Sequence, residues 1–80
     1  MKAGVHITLK PSVLDPQGKA IANALKSLGF NGVNQIRQGK YIEIDLAETD
    51  PERAREAVEA MCTKLLANPI IEDYEIEWLG

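Results

Sequence analysis

The two ends of the chain carry an alternating pattern of apolar and polar side chains. Between Lys2 and Lys10 every odd position is apolar and the even positions are mostly polar. The same period returns near the C-terminal end, where Ile70, Tyr74, Ile76 and Trp78 share one face. A period of two is typical of a strand with one buried face. The sequence therefore predicts a strand at each end.

Two segments between these strands have a helical period. Asp15-Pro16 and Asp50-Pro51 each place an aspartate at an N-cap and a proline at the first helical position, where a missing N–H is not needed. We expect the first helix to end at Gly29 and the second near Ala67, ahead of Pro69. The buried stripes are predicted to be Ile21, Ala24, Leu25 and Leu28 in the first helix, and Ala54, Val58, Met61 and Leu65 in the second.

The stretch from Val33 to Ala47 has apolar residues at even positions on both sides of Gly39. A hairpin with a three-residue loop, 38–40, would pair Ile36 with Ile42 and keep both on the core face, and we favour this interpretation. A single long strand that bends at Gly39 has the same parity and stays open.

The predicted order of elements is βαββαβ in one domain, residues 1–80. Right-handed crossovers then give an α+β, ferredoxin-like antiparallel sheet with two helices on one face. The first and last strands become antiparallel neighbours. This places Lys2, His6 and Lys10 opposite Asp73, Glu75 and Glu77 on the face away from the helices.

Composition limits what such a domain can do. The chain has 80 residues, 45% of them apolar and 26% charged, so its core is small and self-association is a natural way to add stability. A net charge of −3 argues against nucleic acid as a partner. Neither a signal-peptide core nor an apolar run of bilayer length is present, so we expect a cytoplasmic protein that does not bind membranes.

Candidate catalytic groups are few. His6 lies in mid-strand and has no base or nucleophile at a fixed spacing, and Cys62 sits beside the apolar stripe of the second helix, where packing is the better interpretation. The connection from Lys10 to Gly18 leads into a helix N-terminus, but Asp15 already caps it with a negative charge. Gly18 is interpreted as allowing another chain's backbone to approach. The role of Trp78 stays open between closing the core and forming a dimer contact.

Two cations flank Gly39 on the presumed hairpin tip. Arg37 and Lys40 are predicted to project from this loop, and a solvated turn is the simplest interpretation. The functional alternative is that they dock on an acidic or phosphate-bearing surface of another subunit.

Several short motifs together resemble the PurS family. PurS is the small subunit of the ATP-dependent amidotransferase that makes formylglycinamidine ribonucleotide in purine synthesis. The resemblance covers nearly the whole chain. Its motifs are Leu14-Asp15-Pro16-Gln17-Gly18, Arg37-Gln38-Gly39-Lys40, Cys62-Thr63-Lys64-Leu65-Leu66-Ala67-Asn68 and Ile71-Glu72-Asp73-Tyr74.

The resemblance implies a subunit without catalytic residues, metal or cofactor of its own. It implies a homodimer or homotetramer that bridges a synthetase subunit, which uses ATP with magnesium, and a glutaminase subunit, and that helps to shelter ammonia between them. The residues expected to bind partners are Leu14, Asp15, Pro16, Gln17, Gly18, Arg37, Gly39, Lys40 and Tyr74.

Two other functions share the predicted fold. An ACT-type regulatory module would bind an amino acid near the first strand-to-helix loop at a dimer interface. A small acylphosphatase would need a phosphate cradle, for which Arg37 is the only candidate.

Overall fold

The computed structural model describes all 80 residues, which form a three-stranded antiparallel sheet and two helices. Strand β1 (Lys2–Leu9) lies in the centre, between β2 (Gly39–Asp45) and β3 (Glu72–Trp78). Helix α1 spans Pro16–Ser27 and helix α2 spans Pro51–Met61, which continues into a π-helical turn, Cys62–Leu66. The predicted α+β class is confirmed.

The local signals fix most of these elements as expected. The side chain of Asp15 accepts a hydrogen bond from Gly18 N, that of Asp50 accepts one from Glu52 N, and a proline follows each cap. β1 and β3 are antiparallel neighbours, with His6 opposite Glu75. The side chains on this face meet as the charge pattern predicts, since Lys10 Nζ lies 2.7 Å from Asp73 Oδ1.

The predicted hairpin between residues 33 and 47 is wrong. Gly39 and Lys40, expected in its loop, instead begin β2 and pair with Thr8 and Ile7. Residues 33–38 form no strand within this chain, so the sheet has three strands rather than four. Gly39 serves a close approach rather than a turn, because a Cβ there would meet the Ile7 carbonyl and come within 2.9 Å of Thr8 Cγ2.

The core lies between the sheet and α2. Its buried members are Ala3, Val5, Ile7, Val58, Cys62 and Ala67. Helix α1 contributes none of them, and the stripe predicted to be buried on α1 is open, with Ile21 exposed and Leu28 74% exposed. The molecule is correspondingly long, 49 × 26 × 14 Å. Its radius of gyration is 16.0 Å, against about 12 Å for a compact chain of this length.

The π-helical turn changes which side of α2 faces the core. Ala67 N donates to Cys62 O at 2.9 Å, a bond that spans one residue more than in an α-helix. Ala67 is therefore buried beside Cys62, whereas Leu65, predicted to be buried, is 82% exposed. Met61, also predicted to be buried, is exposed too. The packing role predicted for Cys62 is confirmed. No helix has the length and apolar character needed to cross a membrane.

Candidate functional site

Three segments meet at the end of the sheet where β1 finishes and β2 and β3 begin. We call this region the junction, formed by residues 10–18, 37–40 and 68–72. Lys10 N donates to Ile71 O at 2.8 Å, which joins the first segment to the third. Gln38 N donates to Asp15 Oδ2 at 2.7 Å, which joins the first to the second. The junction thus gathers most of the residues predicted to bind partners.

Asp15 organises the junction. The residue is 6% exposed, and its carboxylate accepts from Gly18 N at 2.9 Å and from Gln38 N at 2.7 Å. These bonds, that from Gln38 above all, lower the pKa of Asp15 below its ordinary value. The cap on α1 was predictable from the sequence, but the bond to Gln38 joins residues far apart in the chain. Asp15 therefore holds the start of α1 against the start of β2.

Arg37 lies in a different place from the one predicted. It does not project from a loop tip. Its Nη2 donates to the carbonyl oxygens of Lys10 and Val13, each at 2.9 Å, and the residue is half-buried. A guanidinium with several donors can bond two carbonyls at once, and the Lys10 carbonyl also accepts from Val13 N at 2.9 Å. Arg37 therefore closes the loop that leads to α1.

Gly18 does allow a close approach, but by the same chain. A Cβ at this position would lie 2.8 Å from Asp15 Oδ2 and 3.0 Å from the carbonyl carbon of Ile36. The backbone that passes Gly18 is thus the segment leading into β2, rather than that of another chain. The predicted close approach of a backbone to Gly18 is confirmed, but that backbone belongs to the same chain.

Lys40 keeps an exposed ammonium in the junction. Its Nζ is 3.8 Å from Glu72 Oε2, a loose pair in which the lysine side chain is 60% exposed. An ion pair of this kind adds little stability. Lys40 therefore remains available to a partner.

Tyr74 makes its contacts within the chain, with α2 and the core. Its hydroxyl donates to Glu59 Oε2 of α2 at 2.6 Å, and its ring packs against the core. This hydrogen bond to a carboxylate raises the pKa of Tyr74.

An open cavity of about 480 Å³ lies in the junction. Asp15, Gln17, Gln38, Lys40 and Glu72 contribute polar groups to its lining, and Ile7 and Leu9 contribute apolar surface. Pro16 and Gly39 complete the lining. Amide, ammonium and carboxylate groups beside an apolar floor suit a protein side chain or an extended peptide better than a bare anion.

Three large apolar side chains are largely exposed in the junction or, for Leu65, in the π-helical turn just before its third segment. Leu14 is 70%, Leu65 82% and Ile70 81% exposed. Asn68 builds the turn that presents Ile70, because its Oδ1 accepts from Ile70 N at 3.1 Å and its N–H donates to Glu72 Oε1 at 2.7 Å. The sequence placed Ile70 on the core face of the last strand, which is wrong because this turn precedes β3. Exposed apolar groups in one region indicate a binding surface.

The remaining candidate chemistry lies on the open face of the sheet. His6 Nε2 is 3.1 Å from Glu77 Oε2, and the His6 ring centroid is 4.6 Å from that of Tyr41. The Tyr41 ring crosses β1 at Gly4, where a Cβ would lie 2.8 Å from Tyr41 Cε1. Trp78 is 38% exposed near the other end of the sheet.

Comparison with known proteins gives one consistent result. The model of the family "PurS: Phosphoribosylformylglycinamidine (FGAM) synthase" matches residues 2–80. The chain is 50% identical to the phosphoribosylformylglycinamidine synthase subunit PurS of Methanocaldococcus jannaschii, over 95% of this chain and 92% of that protein. It is 48% identical to the PurS subunit of Synechocystis, over 91% of this chain and 73% of that protein.

Solved structures agree in fold. PurS from Bacillus subtilis superposes with a TM-score of 0.85 at 47% identity, covering 95% of this chain and 94% of the other. A chain of PurLQS from Thermotoga maritima superposes with a TM-score of 0.89 at 32% identity, covering 98% and 95% respectively. The elongated shape with a projecting α1 is thus compatible with the known structures.

Proposed function

The chain belongs to the PurS family of FGAM synthase, and from this premise we propose that it is the small subunit that joins the synthetase and glutaminase subunits of that enzyme. The observation that carries the proposal is the junction. Residues from separated motifs meet there and are held together by Asp15 and Arg37. Leu14, Leu65 and Ile70 are exposed in the same region, and no contact within the chain buries them.

We propose that the subunit acts without catalytic residues of its own. Cys62 is completely buried in the core, and burial raises its thiol pKa, so a thiolate is doubly disfavoured. His6 contacts the carboxylate of Glu77 and the ring of Tyr41, and neither contact is with a serine, cysteine or lysine that a histidine base could activate. ATP with magnesium, the ribonucleotide and glutamine are then bound by the larger subunits.

Bridging gives the small subunit a part in ammonia transfer. Ammonia released by the glutaminase subunit must reach the synthetase subunit before it is lost to the solvent. A protein that fixes the relative position of the two subunits and covers the space between them raises the FGAM formed per glutamine consumed. The junction offers apolar surface for this contact and an open cavity beside it. The family match favours this role over an ACT-type sensor.

We further propose a homodimer or homotetramer that works in the cytoplasm. The unburied stripe of α1, with Leu28 and Phe30 both more than half exposed, supports self-association. In an 80-residue chain whose core excludes one helix, covering that helix adds stability that the monomer lacks.

Reconstitution tests the bridging role. The chain is mixed with purified synthetase and glutaminase subunits, and complex mass and glutamine-dependent FGAM formation are measured. Leu65→Asp and Ile70→Asp should weaken assembly and slow turnover while leaving thermal unfolding of the isolated subunit nearly unchanged, because both side chains are exposed.

Leu79→Asp is the matched control, since it adds the same charge to an exposed leucine at the opposite end of the sheet. Lys40→Glu adds a reversal of charge inside the junction. Normal assembly and turnover in Leu65→Asp, Ile70→Asp and Lys40→Glu alike would remove the junction and its surroundings from the docking surface.

A further inference from the structure

The charged side chains of the protein are unevenly distributed along the chain. Residues 16–42 form α1, the connection after it and the start of β2, and they contain four lysines and arginines but no aspartate or glutamate. The rest of the chain contains five lysines and arginines and all twelve acids. A molecule with a net charge of −3 therefore carries one part that has only positive charge.

Helix α1 separates its cations from its apolar stripe. Lys19, Ala22 and Lys26 follow one another at helical spacings of three and four and share one face. Ile21 and Leu28 lie on the other side of the helix. Self-association through the apolar stripe therefore leaves the lysine face open to a different partner.

A cleft of about 270 Å³ lies between the lysine face and residues 34–37, and we call it the α1 cleft. Lys19 and Ala22 line it on the helix side, and Asn34, Gln35 and Arg37 line it on the other side. Sites for small molecules usually measure roughly 300–1,000 Å³. The α1 cleft is smaller than these and is of a size to receive a side chain from another protein.

Hydrogen-bond donors of the α1 cleft are unused within the chain. Arg37 bonds the carbonyls of Lys10 and Val13 through Nη2 alone, so its Nε and Nη1 groups have no acceptor in the protein. These groups are open to solvent, because no buried side-chain nitrogen lacks a hydrogen-bond partner. Neither Arg37 nor Lys19 takes part in any of the four ion pairs of the chain.

Asp15 is the one carboxylate in the lining, and it is already engaged. Its two oxygens accept from the backbone N–H groups of Gly18 and Gln38, and it takes part in no ion pair. The two cations of the α1 cleft thus lack a counterion in direct contact. A site of this kind attracts a further anionic group.

We propose that the α1 cleft receives an acidic side chain, an aspartate or a glutamate, from one of the two larger subunits. The carboxylate accepts hydrogen bonds from the free donors of Arg37 and faces the ammonium of Lys19, an arrangement that charge-assisted hydrogen bonds favour. This inference rests on the proposed function and deepens it, because it names the chemistry of one contact between the small subunit and its partner.

Other anionic partners fit the α1 cleft less well. A lipid bilayer presents a broad surface, which does not reach Arg37 between the helix and residues 34–37. A nucleic acid presents a long row of phosphates, which the twelve acids in the rest of the chain repel. A single carboxylate on a protein surface meets the cations of the α1 cleft without facing those acids.

An NMR titration of the isolated chain tests the carboxylate chemistry. With acetyl-tetraglutamate amide as the probe, the amide signals of Asn34 and Gln35 and the Nε–H signal of Arg37 should shift, whereas acetyl-tetralysine amide should leave them unchanged. The acidic peptide should bind Lys19→Glu about tenfold more weakly, because an attraction becomes a repulsion. Arg55→Glu is the matched control and should bind as the wild type does, since Arg55 is an exposed, unpaired cation on α2.

Four results of this titration would overturn the proposal. Two are an absence of shifts in the wild type and equal affinity of the two charge variants. The third is an equal response to sodium phosphate at the same concentration of charge, which would assign the α1 cleft to a free anion. The fourth is co-sedimentation of the protein with phosphatidylserine vesicles, which would assign it to a membrane surface.

Reconstitution with the larger subunits separates this inference from the bridging role. Lys19→Glu should weaken assembly, and the wild type should lose affinity with added salt more steeply than this variant does. Arg55→Glu should assemble as the wild type does. Equal assembly of Lys19→Glu and the wild type would remove the α1 cleft from the interface and leave the bridging role intact. A wild type that does not assemble contradicts the bridging role itself.

Discussion

Gly18→Ala tests the packing of the junction with a single methyl group. Gly18 is buried at the third position of α1. The added Cβ would lie 2.8 Å from Asp15 Oδ2 and 3.0 Å from the carbonyl carbon of Ile36, both below an ordinary van der Waals distance. The neighbours must move, and a shift of Asp15 lengthens its bonds to Gly18 N and Gln38 N, which now measure 2.9 and 2.7 Å.

Two effects of opposite sign compete in this variant. Replacing glycine by alanine in a helix favours folding by about 0.5–1 kcal/mol, because the unfolded chain loses freedom. Overpacking costs about 1–3 kcal/mol. Because the crowded atoms are backbone and a fixed carboxylate, the second effect should dominate, with a net destabilisation of about 1–2 kcal/mol. For a domain of this size, that lowers Tm by about 5–15 °C.

Thermal unfolding followed by circular dichroism measures the difference, at one protein concentration because self-association shifts Tm. Gly32→Ala is the control. No atom lies within 4 Å of a Cβ there and its φ is not positive, so Tm should stay the same or rise slightly. A rise in Tm for Gly18→Ala comparable to that of Gly32→Ala would refute the close approach of residue 36 to α1.

Three further predictions concern titratable groups. Because the pKa of Asp15 is lowered in the fold, its carboxylate stabilises the protein at pH values above the ordinary pKa of 3.8, and this contribution is lost as the pH falls through the lowered pKa. The Tm difference between the wild type and Asp15→Asn should therefore shrink in acid. A Tm difference that does not change with pH would contradict this. Cys62 should react with a disulfide reagent only at the rate of unfolding, because the thiol is buried with a raised pKa; fast labelling of the native protein would show an open core. Glu59→Gln should lower the pKa of Tyr74 in an ultraviolet titration, since the Glu59 carboxylate raises it; an unchanged titration would mean that the hydrogen bond is absent in solution.

Local sequence signals predicted the elements that depend on local physics. Both helix starts follow from Asp-Pro pairs, and the pairing of β1 with β3 agrees with the opposite charges on their shared face. Two of the PurS motifs, residues 14–18 and 37–40, lie together in the junction, so the motifs indicated which separated segments come together.

The misplaced residues depend on distant or inserted structure. In the sequence, Leu65 continues the α-helical period of the predicted buried stripe, but the π-helical turn places it on the outside. Arg37 is satisfied by carbonyls 27 and 24 residues away, which no local pattern encodes. The apolar parity of residues 33–38 predicted a strand, but these residues form none in the structure, because alternation alone does not supply a neighbouring strand to pair with.

Two of the exposed apolar regions of the molecule lie on different elements, and this separation matters for the proposed bridging role. Leu28 and Phe30 belong to α1 and the turn after it, whereas Leu65 and Ile70 belong to the π-helical turn and the loop before β3. A surface used for self-association is lost to other partners. Because a second exposed apolar region lies at the junction, the proposed self-association and the proposed docking on larger subunits do not compete for the same surface.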